Sequence, residues 1–379
     1  MTKVLITGGA GFIGFHLTRA LLNGGHGVRV LDNLAPQIHG PVPAGLEWLL
    51  DERIEFIRGS VTQEDTVRRA LADVDVLVHL AAETGTGQSM YEISRYCDVN
   101  VGGTARLLDV LANSGVRKPR RVVLASSRSI YGEGAYVCPS CDPGRRIYPQ
   151  GRGMAQLAAH RWEHACPACG GDLAPIPTAE DDPAQPASIY AATKYAQEDL
   201  IRVACSALDM DFAILRLQNV YGEGQSLSNP YTGILSIFST RIRRGQVLPI
   251  FEDGLETRDF VHVQDVASAF LAAVQSPTPL GRVINVGSGV KTTVADIAAH
   301  LSRAFGEKPN LVTTREFRLG DIRHNCADIA RLREDLRLEP TVSIEQGMAR
   351  FAEWVNRQPL PEDLLDKANA ELRMRNLMG

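Results

Sequence analysis

No run of apolar residues in this chain approaches the roughly 20 that a membrane-crossing helix needs. The amino terminus passes from Met1-Thr2-Lys3 straight into Val4-Leu5-Ile6-Thr7, without the charged-then-apolar pattern of a secretory leader. Neither sign of charge dominates. Lys and Arg number 40 against 44 Asp and Glu, a net charge of −4, which gives no support for a basic nucleic-acid-binding surface. These absences set the expectation of a cytoplasmic protein with neither membrane nor nucleic acid as a partner. Cysteine is scarce as well, with seven residues in 379. Four of them fall in two close pairs, which in a reducing compartment points to metal rather than to disulfides. The rest is ordinary: 44% hydrophobic and 22% charged residues, enough for a large core spread over more than one lobe.

The clearest pattern lies in the first 32 residues. An apolar strand, Lys3 to Thr7, runs into Gly8-Gly9-Ala10-Gly11-Phe12-Ile13-Gly14, then a helical run, Phe15 to Leu22, then a strand, Gly27 to Leu31, that ends at Asp32. Glycines at 8, 11 and 14 allow a tight turn and close backbone approach to a pyrophosphate. The following helix start offers unpaired N–H groups to its phosphates. A Gly-rich loop alone is weak evidence, but with flanking strands and the acid it is a dinucleotide fingerprint. Asp32 is placed to accept hydrogen bonds from the adenosine ribose. It would repel a 2′-phosphate, and after Asn33 no Arg follows until Arg53, so NAD is expected over NADP.

Strand and helix then alternate. Strands are expected at 54–58, 74–80, 121–125 and 211–217, and helices at 62–71, 94–111 and 188–208. That order predicts an α/β, Rossmann-type doubly wound parallel sheet with a smaller C-terminal α/β substrate lobe. Ligands of such sheets bind beyond the strands' carboxyl ends. Gly8–Gly14, Asp32, Ser60–Val61, Ala81–Ala82 and Ser126–Ser127 should therefore converge on one site. The expected division is 1–182 for the NAD-binding domain and 183–357 for the remaining Rossmann elements plus the second lobe. Residues 358–379 read as a solvated helical tail.

An insertion interrupts the pattern at about 133–182. It carries Cys138-Pro-Ser-Cys141 and Cys166-Pro-Ala-Cys169. Two such knuckles can place four thiolates tetrahedrally around one zinc, and four thiolates leave no open position, so the expected zinc is structural. A redox pair or free thiols are the competing readings, and His160 and His164 lie near enough to substitute for a ligand.

Tyr190-Ala-Ala-Thr-Lys194 opens the helix at 188–208. The spacing puts phenol and ammonium on one helical face, and a cation beside a phenol favours the phenolate. Tyr190 thereby becomes a candidate general base. Tyr and Lys at this spacing are more often a surface pair, so the motif needs its surroundings. Arg216, Arg258, Arg318 and Arg323 punctuate the second half, as would suit a diphosphate substrate, although an isolated Arg is usually just exposed.

Gly8-x-x-Gly11-x-x-Gly14, His79-Leu-Ala-Ala82, Asn100, Ser126-Ser127-x-x-x-Tyr131-Gly132, Tyr190-x-x-x-Lys194 and Arg216-x-x-Asn219-x-Tyr221-Gly222 together resemble the extended short-chain dehydrogenase/reductases, and more closely the nucleotide-sugar epimerases and dehydratases. Arg258-Asp-Phe-Val-His-Val-x-Asp265, Asn285-Val-Gly-Ser-Gly289 and Gly320-Asp321-Ile-Arg-His324 extend the match into the second lobe. Within that family Gln88–Ile93, Ser127–Glu133 and Leu227–Ile234 look most like dTDP-L-rhamnose 4-epimerases. The related 4,6-dehydratases would carry Asp-Glu where this chain has Arg128-Ser129, and the decarboxylases a Glu at 129. Dehydration is therefore disfavoured.

The resemblance implies a redox-neutral C4 epimerase with Ser127, Tyr190 and Lys194 as catalytic residues, with Lys194 lowering the Tyr190 pKa. It implies NAD held by Gly8, Gly11, Phe12, Ile13, Gly14, Asp32, Asn33, Ser60, Val61, Leu80, Ala81, Ala82, Asn100, Ser126 and Gln218, together with Tyr190 and Lys194. It implies a nucleotide sugar bound by Thr84, Ser127, Asn219, Arg258, Arg318 and Asp321, and a homodimer joined through the helices of Asn100 and Tyr190. Arg128 is unusual for such an epimerase; either it joins the substrate-binding set or it faces the insertion. A 4-ketoreductase, a dehydratase and a non-catalytic NAD-binding scaffold acting through the zinc insertion are the competing readings.

Overall fold

The computed structural model describes residues 2–40, 45–227, 233–363, 365–375 and 378–379. Residues 228–232, the middle of the Leu227–Ile234 motif and part of the expected loop there, lie outside these. Seven strands form the main sheet: β1 (Lys3–Thr7), β2 (Gly27–Asp32), β3 (Ile54–Arg58), β4 (Val76–His79), β5 (Arg121–Ser127), β6 (Asp211–Leu217) and β7 (Arg282–Val286). Their order is β7-β6-β5-β4-β1-β2-β3, and every pairing is parallel. This is the doubly wound order with a seventh strand added beyond the sixth. Successive residues of a strand feed opposite faces. Val4 and Ile6 join one apolar cluster while Leu5 joins the other, and Val76 and Val78 are divided from Leu77 in the same way. A sheet buried on both sides explains why these strands read as continuous apolar runs.

Helix α1 (Phe12–Asn23) covers the first face with Leu17 and Leu21. Helices α2 (Glu64–Leu71), α3 (Gly103–Asn113) and α4 (Ile189–Ala207) cover the second, through Val67, Leu107 and Ile201. The stretch expected as one helix at 94–111 is α-helical at Ile93–Tyr96, widens to a π-helix at Cys97–Gly102 and resumes as α3. The wide turn carries Asn100, and such bulges cluster at functional sites. Helix α5 (Ile234–Arg243) belongs to the second lobe, and α6 (Val263–Gln275) returns to the first face. With α7 (Val294–Ala304) and α8 (Ile344–Asn356), the second lobe closes its own core around Phe238, Phe260, Ile297, Leu301, Met348 and Phe351.

The insertion makes a separate three-stranded sheet from Tyr136–Cys138, Asp142–Ile147 and Ala174–Pro175. Its core is only Tyr136, Cys138, Cys166 and Leu173, with Ile147 against it, too little apolar area to hold a fold without a staple. Arg146 donates to Asp182 at 2.8 Å and closes the neck. The tail differs from expectation. Helix α9 (Leu365–Met374) is followed by a return to the second lobe, where Gly379 and Phe317 exchange backbone hydrogen bonds of 2.8 and 3.1 Å. Leu365 and Met378 are buried, and the Arg375 guanidinium stacks 4.2 Å over the Tyr91 ring. The tail is pinned at Leu365, Met378 and Arg375, while Leu360 and Met374 stay exposed.

Candidate active site

The carboxyl ends of β1, β2, β3, β4 and β5 open into one cleft of about 740 Å³. Gly8, Gly11, Phe12, Ile13 and Gly14 line it from the first turn, and Asp32 and Asn33 from the end of β2. Ser60 and Val61, Leu80, Ala81, Ala82 and Thr84, and Ser126 follow from the next strands, with Tyr190 and Lys194 from α4. Gly8 has φ +68°, and a Cβ there would sit 2.6 Å from the Ala81 amide. At Gly14 a Cβ would sit 2.3 Å from the Gly9 carbonyl. Only glycine lets β1, the turn and β4 approach this closely, and the approach leaves the start of α1 facing the cleft. The Asp32 carboxylate accepts from the Ala10 amide at 3.0 Å and the Leu34 amide at 2.8 Å, which aims it along the cleft wall. These groups fit a dinucleotide: a helix N-terminus for the pyrophosphate and an oriented carboxylate for a ribose diol.

Two expected cofactor contacts fall elsewhere. Asn100 is fully buried and its amide is spent on protein. Its Oδ1 accepts from the Glu83 amide at 2.8 Å, and its Nδ2 donates to the Glu83 carbonyl at 3.1 Å and Thr193 Oγ1 at 3.0 Å. It braces the turn after β4 against α4 rather than touching the cleft. Gln218 is buried beside Gly287 and is absent from the cleft lining.

Helix α4 begins at Ser188, whose side chain caps the Ala191 amide at 3.1 Å. Tyr190 donates its backbone N–H to Ser89 Oγ at 3.0 Å, and its ring meets the Tyr96 ring edge to face. Ser89 lies in the Gln88–Ile93 stretch, so that motif buttresses the start of α4. Burial pushes the Tyr190 phenol up, while the Ser127 hydroxyl and the Arg128 guanidinium favour its phenolate. The cation acting on Tyr190 is thus Arg128. Lys194 points the other way: its Nζ donates to the Ala125 carbonyl at 2.8 Å and Gln197 Oε1 at 2.9 Å. In the ligand-free protein Lys194 Nζ is drawn into the β5–α4 packing and makes no hydrogen bond to Tyr190 among the described residues. Burial brings Lys194 itself down to about 7.

Gln197 extends this contact into a buried polar chain unnoticed in the sequence. It donates to Thr104 at 2.7 Å and lies 3.3 Å from His79 Nε2, and His79 Nδ1 lies 2.7 Å from Thr7 Oγ1. Burial brings His79 down to about 3, so the ring is neutral at ordinary pH. The motif His79–Ala82 was the available signal, but only the fold sets His79 beside Gln197.

On the substrate side the four arginines separate. Arg216 is buried against Glu198 (2.7 and 3.0 Å) and the Tyr131 hydroxyl (2.8 Å), and Arg323 against Glu163 (2.6 Å) and Asp253 (2.7 Å). Both are structural, because a buried guanidinium must be paired. Arg318 is held by Asn369 at 2.8 Å and by the Phe251 ring. Arg258 is different: it donates only to carbonyls, of Thr257 and Ile322 at 2.8 Å and of Arg323 at 3.2 Å. No carboxylate pairs with it among the described residues. Arg128, one residue after Ser127, has neither hydrogen bond nor ion pair among the described residues. Burial pulls it down to about 9, and Arg258 adds to this, while Asp321 and Glu133 oppose it. Asn219 Oδ1 is also buried without a partner among the described residues. Two guanidiniums without an ion-pair partner among the described residues, Arg128 beside Tyr190 and Arg258 beside Arg128, are an arrangement that a diphosphate or the hydroxyls of a sugar would satisfy.

In the insertion the four thiols do converge, all within 4.8 Å of one another. Cys138 and Cys169 Sγ are 3.6 Å apart, and Cys141 and Cys166 Sγ 4.0 Å apart. Zinc–sulfur bonds of about 2.3 Å in a tetrahedron set the sulfurs roughly 3.8 Å apart, so the donor set fits that ion. His164 faces Glu133 at 3.1 Å and His160 stacks on Trp162, so neither histidine displaces a cysteine.

A family model described as the NAD dependent epimerase/dehydratase family matches residues 4–159 and 166–287. The chain belongs to this family. It is 39% identical to a dTDP-L-rhamnose 4-epimerase of Burkholderia thailandensis, over 94% of this chain and 95% of the relative. It is 32% identical to a UDP-glucose 4-epimerase of Mycolicibacterium smegmatis, over 93% and 98%. Among solved structures, the UDP-glucuronic acid 4-epimerase of Bacillus cereus in complex with UDP-glucuronic acid and NAD superposes with a TM-score of 0.75 at 26% identity, covering 94% of this chain and 99% of that one.

Proposed function

We propose that this chain is an NAD-dependent C4 epimerase of a nucleotide-diphosphate sugar, acting on a dTDP-6-deoxyhexose such as dTDP-L-rhamnose. The observation that carries the reading is Tyr190, which lines the dinucleotide cleft and is acted on by the Ser127 hydroxyl and the Arg128 guanidinium. The relatives' activities support it, the rhamnose 4-epimerase most directly for the sugar. NAD, which Gly8–Gly14 and Asp32 would hold, would supply the acceptor and donor of the C4 hydride. Tyr190 removes the proton of the 4-hydroxyl and gives it back after the sugar has turned. Ser127 hydrogen-bonds the same oxygen as charge develops on it. Arg128 holds the phenolate form of Tyr190, and Arg258 and Asp321 orient the nucleotide diphosphate. Asp-Glu is absent at 128–129, so the site lacks the acid and base for eliminating water.

The four cysteines hold one structural zinc in this reading, and two copies pair through α4 and the helix of Asn100. Metal analysis should find about one zinc per chain. Purified protein incubated with dTDP-L-rhamnose, without added cofactor, should yield its C4 epimer. A protein that retains NAD yet turns over no dTDP- or UDP-hexose would defeat the assignment.

A further inference from the structure

The densest set of buried charges lies away from the catalytic pair, on the seam between the cysteine-rich insertion and the segment Asp321–His324. Arg152 of the insertion is 4% exposed and forks onto Glu252 at 2.7 and 2.8 Å. Its second terminal nitrogen also donates to the Asp321 carbonyl at 3.0 Å. Glu163, also of the insertion, accepts from Arg323 Nε at 2.8 Å and Nη2 at 2.6 Å, and its other oxygen lies 3.1 Å from His324 Nε2. Glu133, at the insertion's first boundary, accepts from the Arg323 backbone amide at 2.8 Å. The insertion therefore grips three of these four consecutive residues.

The same segment orients Arg258. The carbonyls of Ile322 and Arg323 accept from its guanidinium, and no carboxylate forms an ion pair with it among the described residues. Carbonyl acceptors set the direction of a guanidinium while leaving its charge available to an anion. Arg152 and Arg323 show the opposite state, since Glu252, and for Arg323 also Glu163 and Asp253, consume their charge. A guanidinium aimed by a backbone segment moves when the segment moves.

We propose that the insertion is a positioning element of the nucleotide-sugar site: Arg152 and Glu163 hold Asp321–His324, and through it Arg258, in the arrangement that receives the substrate's diphosphate. The inference rests on the epimerase reading, and it gives the insertion a role in substrate affinity rather than in chemistry or cofactor retention. Arg152 and Glu163 are positioning residues that act through Arg258.

The test separates affinity from chemistry. Binding of dTDP is measured by calorimetry, NAD content by release on denaturation, and KM and kcat by epimerisation, for wild type, Arg152→Met, Arg152→Lys and Glu163→Gln. Loss of an orienting contact that acts on binding alone appears in KM and not in kcat. Arg152→Met and Glu163→Gln should each weaken dTDP binding and raise KM about tenfold, the effect of losing roughly one hydrogen bond to a charged group. NAD content and kcat should stay near wild type, and Arg152→Lys should recover part of the loss. Glu163 is partly exposed, so Glu163→Gln tests the idea even if Arg152→Met does not fold. Variants that melt earlier but bind dTDP as wild type does would overturn the proposal and leave the epimerase reading standing. A wild type that binds neither dTDP nor UDP would instead remove the reading on which it rests.

Discussion

In the cofactor cleft, Gly8, Gly11, Gly14 and Asp32 come from a single strand–turn–helix–strand unit at the start of the chain. Across the active site, Arg258 is oriented by a carbonyl 64 positions away, and Arg152 reaches the Asp321 carbonyl over 169 positions. The first region is built from local backbone geometry around the start of α1. The second is assembled from buried ion pairs between distant segments, and most of its charges are already committed to one another. A local unit can be recognised from spacing. An assembled one cannot, because the same Arg can be a ligand contact or a structural ion according to which acid lies beside it.

Four measurements would break or sharpen this contrast. Removing the group on which both regions converge should have the largest effect. Tyr190→Phe is expected to lower kcat by about 10²- to 10⁴-fold, the usual contribution of a positioned acid–base, with NAD content unchanged in the denatured extract. Gly8→Ala attacks the local region alone. Its methyl meets the Ala81 amide at 2.6 Å in a backbone conformation with φ +68°. Protein lacking most of its NAD, but with dTDP affinity within about twofold of wild type, is expected from calorimetry. Equal loss of both ligands would show that the two regions are not separable.

Arg128→Met tests the boundary between the regions. The cation favours the Tyr190 phenolate, so its loss should raise the phenol further above its ordinary value. The ascending limb of the kcat–pH profile should move to higher pH, by about one unit. A profile that stays in place would return the tuning role to Lys194. The smallest effect concerns stability. Lys194 titrates near 7 in the folded, ligand-free protein, against 10.5 for the ordinary amine. Between those values the unfolded chain binds more protons, so ligand-free stability should rise with pH across this window and be lost as pH falls towards 7. Melting temperatures of Lys194→Met between pH 7 and 10 should lack that slope.

The sheet was legible almost strand by strand. Its strands are buried on both faces, and continuous apolar runs such as Val4–Ile6 and Val122–Leu124 have no other stable placement. The cleft was legible for the same reason that it is local: each of its turns follows directly from a strand end. Asn100 shows where this stopped. Its position in the motif was readable, but the Glu83 amide and carbonyl that occupy it come from a turn whose path the sequence does not display. The direction of Lys194 was hidden as well. Helical spacing places Tyr190 and Lys194 on one face, yet the Ala125 carbonyl and Gln197 decide where a flexible four-carbon stem ends. The tail's return to Phe317 had no periodic signal at all.

By itself the sequence determined the dinucleotide unit, the parallel sheet, the pairing of two Cys-x-x-Cys knuckles and the candidacy of Tyr190, since each rests on short-range geometry or on the two-residue and 3.6-residue periods. Only the tertiary structure decided which arginines are paired with acids and which have no ion pair among the described residues, where the Lys194 stem ends, and that the insertion grips Asp321–His324. Those outcomes depend on which charges share a buried space. Burial makes an unpaired charge costly, so every pairing must be resolved by the fold as a whole.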